Sequence, residues 1–258
     1  MGELDGKVAL VVGAGPGVGR ACATAFAREG AAVVVGARRR EPLAALAADV
    51  AAGTGARVVP VEVDLADRAS CGRFVEQAIA DCGGVDVLVN VATSGGGGRI
   101  DDGDWDQWQR AFDVNVVGTL EVSRLAARSM AGRGGGAIVQ IGTHGSHTTP
   151  PGLGAYAATK QAMMTASWTL AKELGPSGVR VNVVTPGYIT GEGLDGIIAT
   201  RSARTGRSAD EVSSELASTA ALRRHVDPDD VAEAVLFLST SRSRTITGVE
   251  LPVTAGQR

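Results

Sequence analysis

Neither sign of charge dominates this chain of 258 residues: 25 lysines and arginines stand against 28 aspartates and glutamates, a net charge of −3. That near balance leaves no electrostatic footprint for nucleic acid or an anionic membrane, so neither is expected as a partner. Long apolar runs are missing as well. Runs such as "VALVV" (8–12) are far too short to cross a bilayer. The opening "MGELDGKVALVVG" lacks the basic end, apolar stretch and small-residue cleavage site of a secretory signal. Met1-Gly2 makes no myristoylation site either, because Asp5-Gly6 stands where Ser or Thr is wanted. Cysteine is scarce and odd in number, and Cys22, Cys71 and Cys82 lack metal-ligand spacing. Buried or reduced thiols are expected, with no metal and no bridge, as in a cytoplasmic protein. No linker, charge block or fixed-period repeat divides the chain, so one domain over 1–258 is expected, a length that suits a single large α/β core.

What is present is an alternation. The runs "KVALVVG", "AAVVVG", "RVVPVEV", "VDVLVN", "GAIVQIG", "VRVNVV" and "GVELPV" read as strands buried on both faces. Stretches of helical period lie between them, near 17–29, 41–52, 67–81, 105–132, 155–175 and 229–240. Strand and helix in strict alternation predict a Rossmann-like, doubly wound α/β fold. Its parallel sheet should have about seven strands, with helices on both faces in a three-layer sandwich. About forty residues at 188–226 break the rhythm and predict one or two short helices, with Gly191, Gly193 and Gly206 as flexible points. So long an excursion suggests a substrate lid; the alternative is a solvated helical excursion.

"VVGAGPGVGRA" follows the first strand and opens a helix, bringing Gly13, Gly15, Gly17 and Gly19 together. Glycine there permits a tight turn and lets backbone amides approach a pyrophosphate, which a helix N-terminus favours. At the end of the second strand, an acid would suit the ribose of NAD. The chain instead reads "GARRRE", with Ala37 at that place and Arg38, Arg39 and Arg40 behind it. Guanidinium groups suit a 2′-phosphate, so NADP(H) is preferred over NAD(H), with Arg38 and Arg39 as contacts. A solvated basic turn accounts for Arg40 and is the alternative reading of Arg39. Asp64, after the third strand, could accept from the adenine amino group or cap the next helix.

Tyr156 and Lys160 lie four residues apart on a predicted helix and so share one face. A nearby ammonium favours the phenolate, giving a group able to donate and take a proton in turn. With the glycine turn, these residues accompany "NVAT" (90–93), "FDVNVVG" (112–118), "VNVVTPG" (181–187) and "ITGVELPV" (246–253). In that order and spacing the chain resembles the short-chain dehydrogenase/reductase family, classical type, from about Lys7 to Gly256.

The resemblance implies an oxidoreductase that interconverts a ketone and a secondary alcohol, acting on a small-molecule substrate and assembling as a homotetramer through its two long helices. It implies Tyr156 as general acid/base, Lys160 holding the nicotinamide ribose, and Asn115 helping to hold a water relay. The family's serine, thirteen residues before the tyrosine, corresponds to Thr143; Ser146 competes for the role from a register three residues away. Cofactor contacts carry over to Val18, Leu65, Asn90, Ala92, Pro186, Gly187 and Ile189. Val12, Val91 and Thr93 depart from the family pattern, and Thr190 sits one place before the usual threonine. His144 and His147, three apart in a loop, are weak evidence for metal and read as loop or pocket residues. Pro150, Pro151, Leu153, Leu194, Ile197 and Ile198 favour a partly apolar substrate. NAD in place of NADP(H), or a non-catalytic dinucleotide-binding sensor or scaffold, are the alternatives.

Overall fold

Seven strands pair in parallel in the order β3-β2-β1-β4-β5-β6-β7. They are β1 (Val8–Val12), β2 (Ala32–Ala37), β3 (Val58–Glu62), β4 (Val87–Asn90), β5 (Gly136–Ile141), β6 (Val179–Pro186) and β7 (Glu250–Val253). The structure is a computed structural model and describes residues 2–95 and 98–257. Part of the "SGGGGR" stretch, Gly96 and Gly97, lies outside these, as do Met1 and Arg258.

The side-chain alternation of a strand sorts its residues between two cores. Ala9 and Val11 of β1, with Val33 and Val35 of β2, face α1 (Val18–Arg28), α2 (Arg40–Thr54) and α10 (Pro228–Ser239). There they meet Cys22, Phe26, Leu43, Leu46, Val231 and Val235. Val8, Leu10 and Val12 face the other way, toward Phe74 of α3 (Arg68–Cys82) and Val122 and Met130 of α5 (Thr119–Gly132). α4 (Trp105–Phe112) precedes α5, and α7 (Gly154–Leu174) packs beside both on that face. Helices on both faces make the expected three layers. Cys22 and Cys71 are buried and all three thiols are free; burial pushes Cys22 up to about 12 and Cys71 up to about 11. No described helix is long and apolar enough to cross a membrane.

The helix expected over 105–132 is not uniform. Between α4 and α5, Asp113–Gly118 forms a π-helical turn, a wider winding often found at functional sites. Gly118 explains part of it, since a Cβ there would lie 2.0 Å from the Leu65 carbonyl oxygen. The helix therefore presses directly on the segment that follows β3.

Asp86, just before β4, staples the end of the sheet remote from that turn. It accepts from the Val8 amide at 2.9 Å and pairs with Arg133 at 3.1 Å and Lys7 at 3.3 Å. Burial opposes its charge, but the Val8 amide, Arg133 and Lys7 together hold the carboxyl below its ordinary value. Asp86→Ala should lower stability by about 2 kcal/mol, because the Val8 amide loses its partner inside the protein. For a domain of this size that is a fall in Tm of about 4–8 °C. The unfolded chain holds the proton more tightly, so this contribution is complete above pH 3.8 and is lost as pH falls through the lowered native value. The Tm difference between the two proteins, followed by calorimetry, should therefore shrink on acidification.

Candidate active site

The strand order reverses between β1 and β4, and a crevice opens beyond their carboxyl ends. Gly13 and Ala92 meet there: Gly13 has φ +94°, and a Cβ on it would lie 2.2 Å from the Ala92 nitrogen. Gly19 is pinned likewise, its Cβ position 2.3 Å from the Gly13 carbonyl oxygen. Gly15 and Gly17 differ, since a Cβ on either would meet open space. Two glycines thus serve packing and two leave room at the N-terminus of α1, where the helix dipole favours an anion.

A cavity of about 810 Å³ runs from this turn across β2 and β3. Gly13, Gly15, Arg38, Arg39, Asp64, Leu65 and Ala92 line it, as expected of cofactor contacts. Arg38 and Arg39 are exposed, and among the described residues neither forms an ion pair. Arg40 is instead the first residue of α2. Arg20 and Arg110 line the same cavity and went unnoticed in the sequence, where each is simply one arginine on a helix. Asp64 does not cap α3, a task that falls to Asp67; its Oδ1 accepts from the Ala66 amide at 3.0 Å. Gly17, Val18 and Ile189 line a neighbouring cleft.

Three more of the expected contacts, Asn90, Pro186 and Gly187, do not line this cavity. Asn90 turns inward, donating to Gln140 Oε1 at 2.9 Å and Ser123 Oγ at 3.1 Å, and is 2% exposed. Both bonds come from Nδ2; Oδ1 is buried without a partner among the described residues. Pro186 and Gly187, at the end of β6, are engaged through their backbones: the Pro186 carbonyl accepts from the His144 amide and the Gly187 amide donates to Val253, each at 3.0 Å. Val12 and Val91 belong to opposite cores and meet only through the backbone, the Val91 amide donating to Val12 at 2.7 Å, so their side chains do not repack as a pair.

The far end of the cavity is formed by Thr93, Ser94 and Gly95, and here the polar residues converge. Asn115 sits in the π-helical turn, 1% exposed, and its carboxamide is fully engaged. Oδ1 accepts from the Ser94 amide at 2.7 Å and the Thr93 hydroxyl at 3.1 Å. Nδ2 donates to the Ser94 carbonyl at 2.8 Å and to Thr159 Oγ1 at 3.0 Å. The side chain is thus fully used within the protein and braces the segment after β4 against α7.

On α7, Tyr156 and Lys160 lie one turn apart, but the ammonium does not turn to the phenol. Lys160 is 3% exposed and donates to the Ile141 carbonyl at 2.8 Å, and burial lowers its pKa to about 8. Tyr156 departs from expectation in the same way. Burial pushes its phenol above the ordinary value, and the Thr143 and Thr93 hydroxyls both oppose that rise. Desolvation outweighs any ammonium effect in this arrangement.

The hydroxyl after β5 that acts on the phenol belongs to Thr143, whose Oγ1 accepts from the Gly145 amide at 3.2 Å. Ser146 points away, donating to the Thr143 carbonyl at 2.8 Å within the short helix α6 (Gly145–Thr148). His147 pairs with Glu250 at 2.7 Å, and no His, Cys, Asp and Glu cluster able to hold a metal occurs among the described residues. Thr93 is the residue sequence reasoning missed, because it reads as a departure from a glycine rather than as a gain.

Residues 188–226 form two helices, α8 (Glu192–Thr205) and α9 (Ala209–Ser218). Leu194 is buried with Val212 and Leu216 and packs with Ile198, so these two aliphatics serve the hairpin's own core; Ile197 remains exposed. Gly191 (φ +119°) starts α8 and Gly206 (φ +70°) ends it, while Gly193 lies inside it. Pro150, Pro151 and Leu153 line a second, largely apolar hollow of about 730 Å³ with Ile100 and Ala157.

A family model described as enoyl-(acyl carrier protein) reductase matches residues 13–258. The chain is 35% identical to carbonyl reductase [NADPH] 2 of Sus scrofa over 255 residues, covering 98% of this chain and 97% of that one. L-sorbose reductase of Gluconobacter frateurii, solved with NADPH and L-sorbose, superposes with a TM-score of 0.94 at 30% identity, over 100% of this chain and 98% of that one. An NAD⁺-bound xylitol dehydrogenase superposes with a TM-score of 0.90 at 28% identity, over 97% of this chain and 98% of that one. Fold, glycine turn and matched length agree: the chain belongs to the short-chain dehydrogenase/reductase family, classical type, and is an NAD(P)-dependent oxidoreductase acting between CH–OH and C=O groups.

Proposed function

We propose that this chain is an NADP(H)-dependent oxidoreductase interconverting a ketone and a secondary alcohol, with Tyr156 as general acid and base. The observation that carries the reading is the placement of the Tyr156 phenol. It faces the Thr143 and Thr93 hydroxyls, and Thr93 is itself the end wall of the 810 Å³ cavity. The residues along that cavity fit a phosphorylated dinucleotide. Gly15 and Gly17 leave open space before α1 for a pyrophosphate, and Arg38 and Arg39 offer unpaired guanidinium groups for a 2′-phosphate.

When bound, the nicotinamide supplies or accepts the hydride. The chain's own residues handle the oxygen and the proton. The Thr143 hydroxyl accepts from the Gly145 amide at 3.2 Å and keeps its hydrogen for the side of the Tyr156 phenol, where it can donate to a carbonyl oxygen. Tyr156 delivers the proton that completes an alcohol, or removes it in the reverse direction. Lys160 places a buried amine one turn along α7 from Tyr156 and would hold the nicotinamide ribose when the cofactor is bound. Asn115 acts through position, fixing Thr93 and Ser94 against α7. The α8–α9 hairpin is the lid that excludes water. Pro150, Pro151, Leu153 and Ile197 support a partly apolar substrate. Exposed Trp105 (67%), Ile100 (61%) and Phe112 (44%) on and beside α4 support assembly, as a homotetramer, through that face.

A panel of ketones and alcohols, followed by nicotinamide absorbance with each cofactor, tests the reading; turnover should be faster with NADPH than with NADH. Arg38→Asp should raise KM for NADPH by roughly 10- to 100-fold, the worth of a charge-assisted bond, and change kcat little. An unchanged NADPH preference in that variant would remove Arg38 from the site. A wild-type preference for NADH would overturn the cofactor while leaving the Tyr156 chemistry standing.

A further inference from the structure

His147 takes no part in the chemistry above, yet it makes a contact that spans the fold. Its Nε2 lies 2.7 Å from Glu250 Oε1, across 103 residues of chain. A carboxylate can only accept, so the ring nitrogen carries the hydrogen and donates it. Glu250 is the first residue of β7 and pairs in register with Val183 of β6. Its place is therefore set by the sheet. His147 belongs instead to α6, a single turn of four residues.

That turn in its own right fixes Thr143. The Gly145 amide donates to Thr143 Oγ1 at 3.2 Å, and the Ser146 amide and hydroxyl donate to the Thr143 carbonyl at 3.1 and 2.8 Å. A shift of α6 would carry the partner of the Thr143 oxygen with it. The start of the turn is anchored to β6, where the His144 amide donates to the Pro186 carbonyl at 3.0 Å. Its end is strained: Thr149 follows α6 at φ +45°, a left-handed conformation that a β-branched residue rarely adopts. Such a conformation persists only where its surroundings hold it, and His147, two residues earlier, supplies a hold.

We infer that His147 is a positioning residue for the Thr143 hydroxyl: its bond to Glu250 fastens α6 to β7 and so keeps the Gly145 amide against the Thr143 oxygen. The inference rests on Thr143 donating to the carbonyl oxygen, as proposed above. The two side chains of the pair are 42% and 19% exposed, so the bond adds little to overall stability. Reaction geometry is more sensitive, since a misplacement of about 1 Å can cost up to about 100-fold in rate. Loss of rate with little loss of stability is therefore the mark of this role.

The test compares His147→Ala, which removes the donor, with His147→Gln, whose amide nitrogen can stand where histidine has Nε2. His147→Ala should lower kcat for carbonyl reduction by about 5-fold, and His147→Gln should recover it to within about 2-fold of the parent. NADPH affinity, read by nicotinamide fluorescence, should stay within about 2-fold, and Tm within about 4 °C. The decisive readout is the combination with Thr143→Val, which keeps the shape and removes the hydroxyl. Since His147 acts through that hydroxyl, His147→Ala should cost nothing further in the Thr143→Val background. An equal loss in both backgrounds, no loss in the parent, or equal damage by Ala and Gln each overturns the inference. Glu250→Ala removes the other half of the pair and should reproduce the loss; it carries the same comparison if His147→Ala does not fold. Should Thr143→Val keep normal turnover, the proposed role of Thr143 fails first and takes the inference with it. Should Thr143→Val lose turnover while His147→Ala is normal, only the role of His147 fails.

Discussion

Tyr156→Phe should lower carbonyl reduction by about two to four orders of magnitude while leaving NADPH binding within about 2-fold, the range expected for removing a positioned general acid. Phenylalanine keeps the ring, so the packing of α7 against the segment after β4 survives and only the hydroxyl goes. The structure also sets the pH dependence. Burial holds the phenol above its ordinary value of 10.0, which extends to higher pH the range of the protonated form that a reduction through Tyr156 would need. Reduction should fall as pH rises through the phenol's value, and oxidation, which needs the phenolate, should rise over the same interval. Near-normal turnover in the phenylalanine variant would remove Tyr156 from the chemistry altogether. Steady-state rates in both directions, measured across pH with NADPH and NADP⁺, give both answers from one experiment.

The fold was legible because its signals are local. Alternating Val-rich runs and Ala-rich helical stretches located all seven strands, and the boundaries of α1, α2, α3, α7 and α10 fall within about two residues of the periodicity. Gly13, Gly15, Gly17 and Gly19 were legible as a set, but not their division into two that pack and two that open space; that depends on Ala92, from another strand. The π-helical turn at 113–118 was invisible, since helical periodicity runs through it, and the close approach of the Leu65 carbonyl to Gly118 comes from a distant segment. Asn115 was found as a residue type at a place in a motif, yet its work as a brace depends on Ser94 and Thr159, which no spacing rule connects to it. The phenol's rise was missed for a similar reason. Helical spacing puts Lys160 on the face of Tyr156, but only tertiary structure shows the ammonium drawn to Ile141 and the phenol desolvated. Arg20, Arg110 and Thr93 share this pattern: each belongs to a cavity wall assembled from distant segments.

Lys160→Met should stabilise the cofactor-free protein and still lower turnover by at least about 100-fold, an opposition that separates a functional lysine from a structural one. Lys160 is 3% exposed, and burial takes its pKa from 10.5 to about 8. That difference corresponds to a cost on the order of 3 kcal/mol for keeping the buried amine charged. The sign follows from proton counting. Between pH 8 and 10.5 the unfolded chain holds the proton that the folded chain releases, so stability rises with pH across that window; below about 8 both hold it and the cost is complete. Methionine matches the length and flexibility of the stem without the charge. It also leaves the Ile141 carbonyl without its 2.8 Å partner, which offsets about 1 kcal/mol of the gain. The net expectation at pH 7 is an increase of about 1–2 kcal/mol, or a rise in Tm of about 2–8 °C. That advantage should shrink toward pH 10, where the parent's amine is already neutral. A fall in Tm at pH 7 would mean that the Ile141 bond outweighs desolvation, and that Lys160 holds the site together as well as serving it.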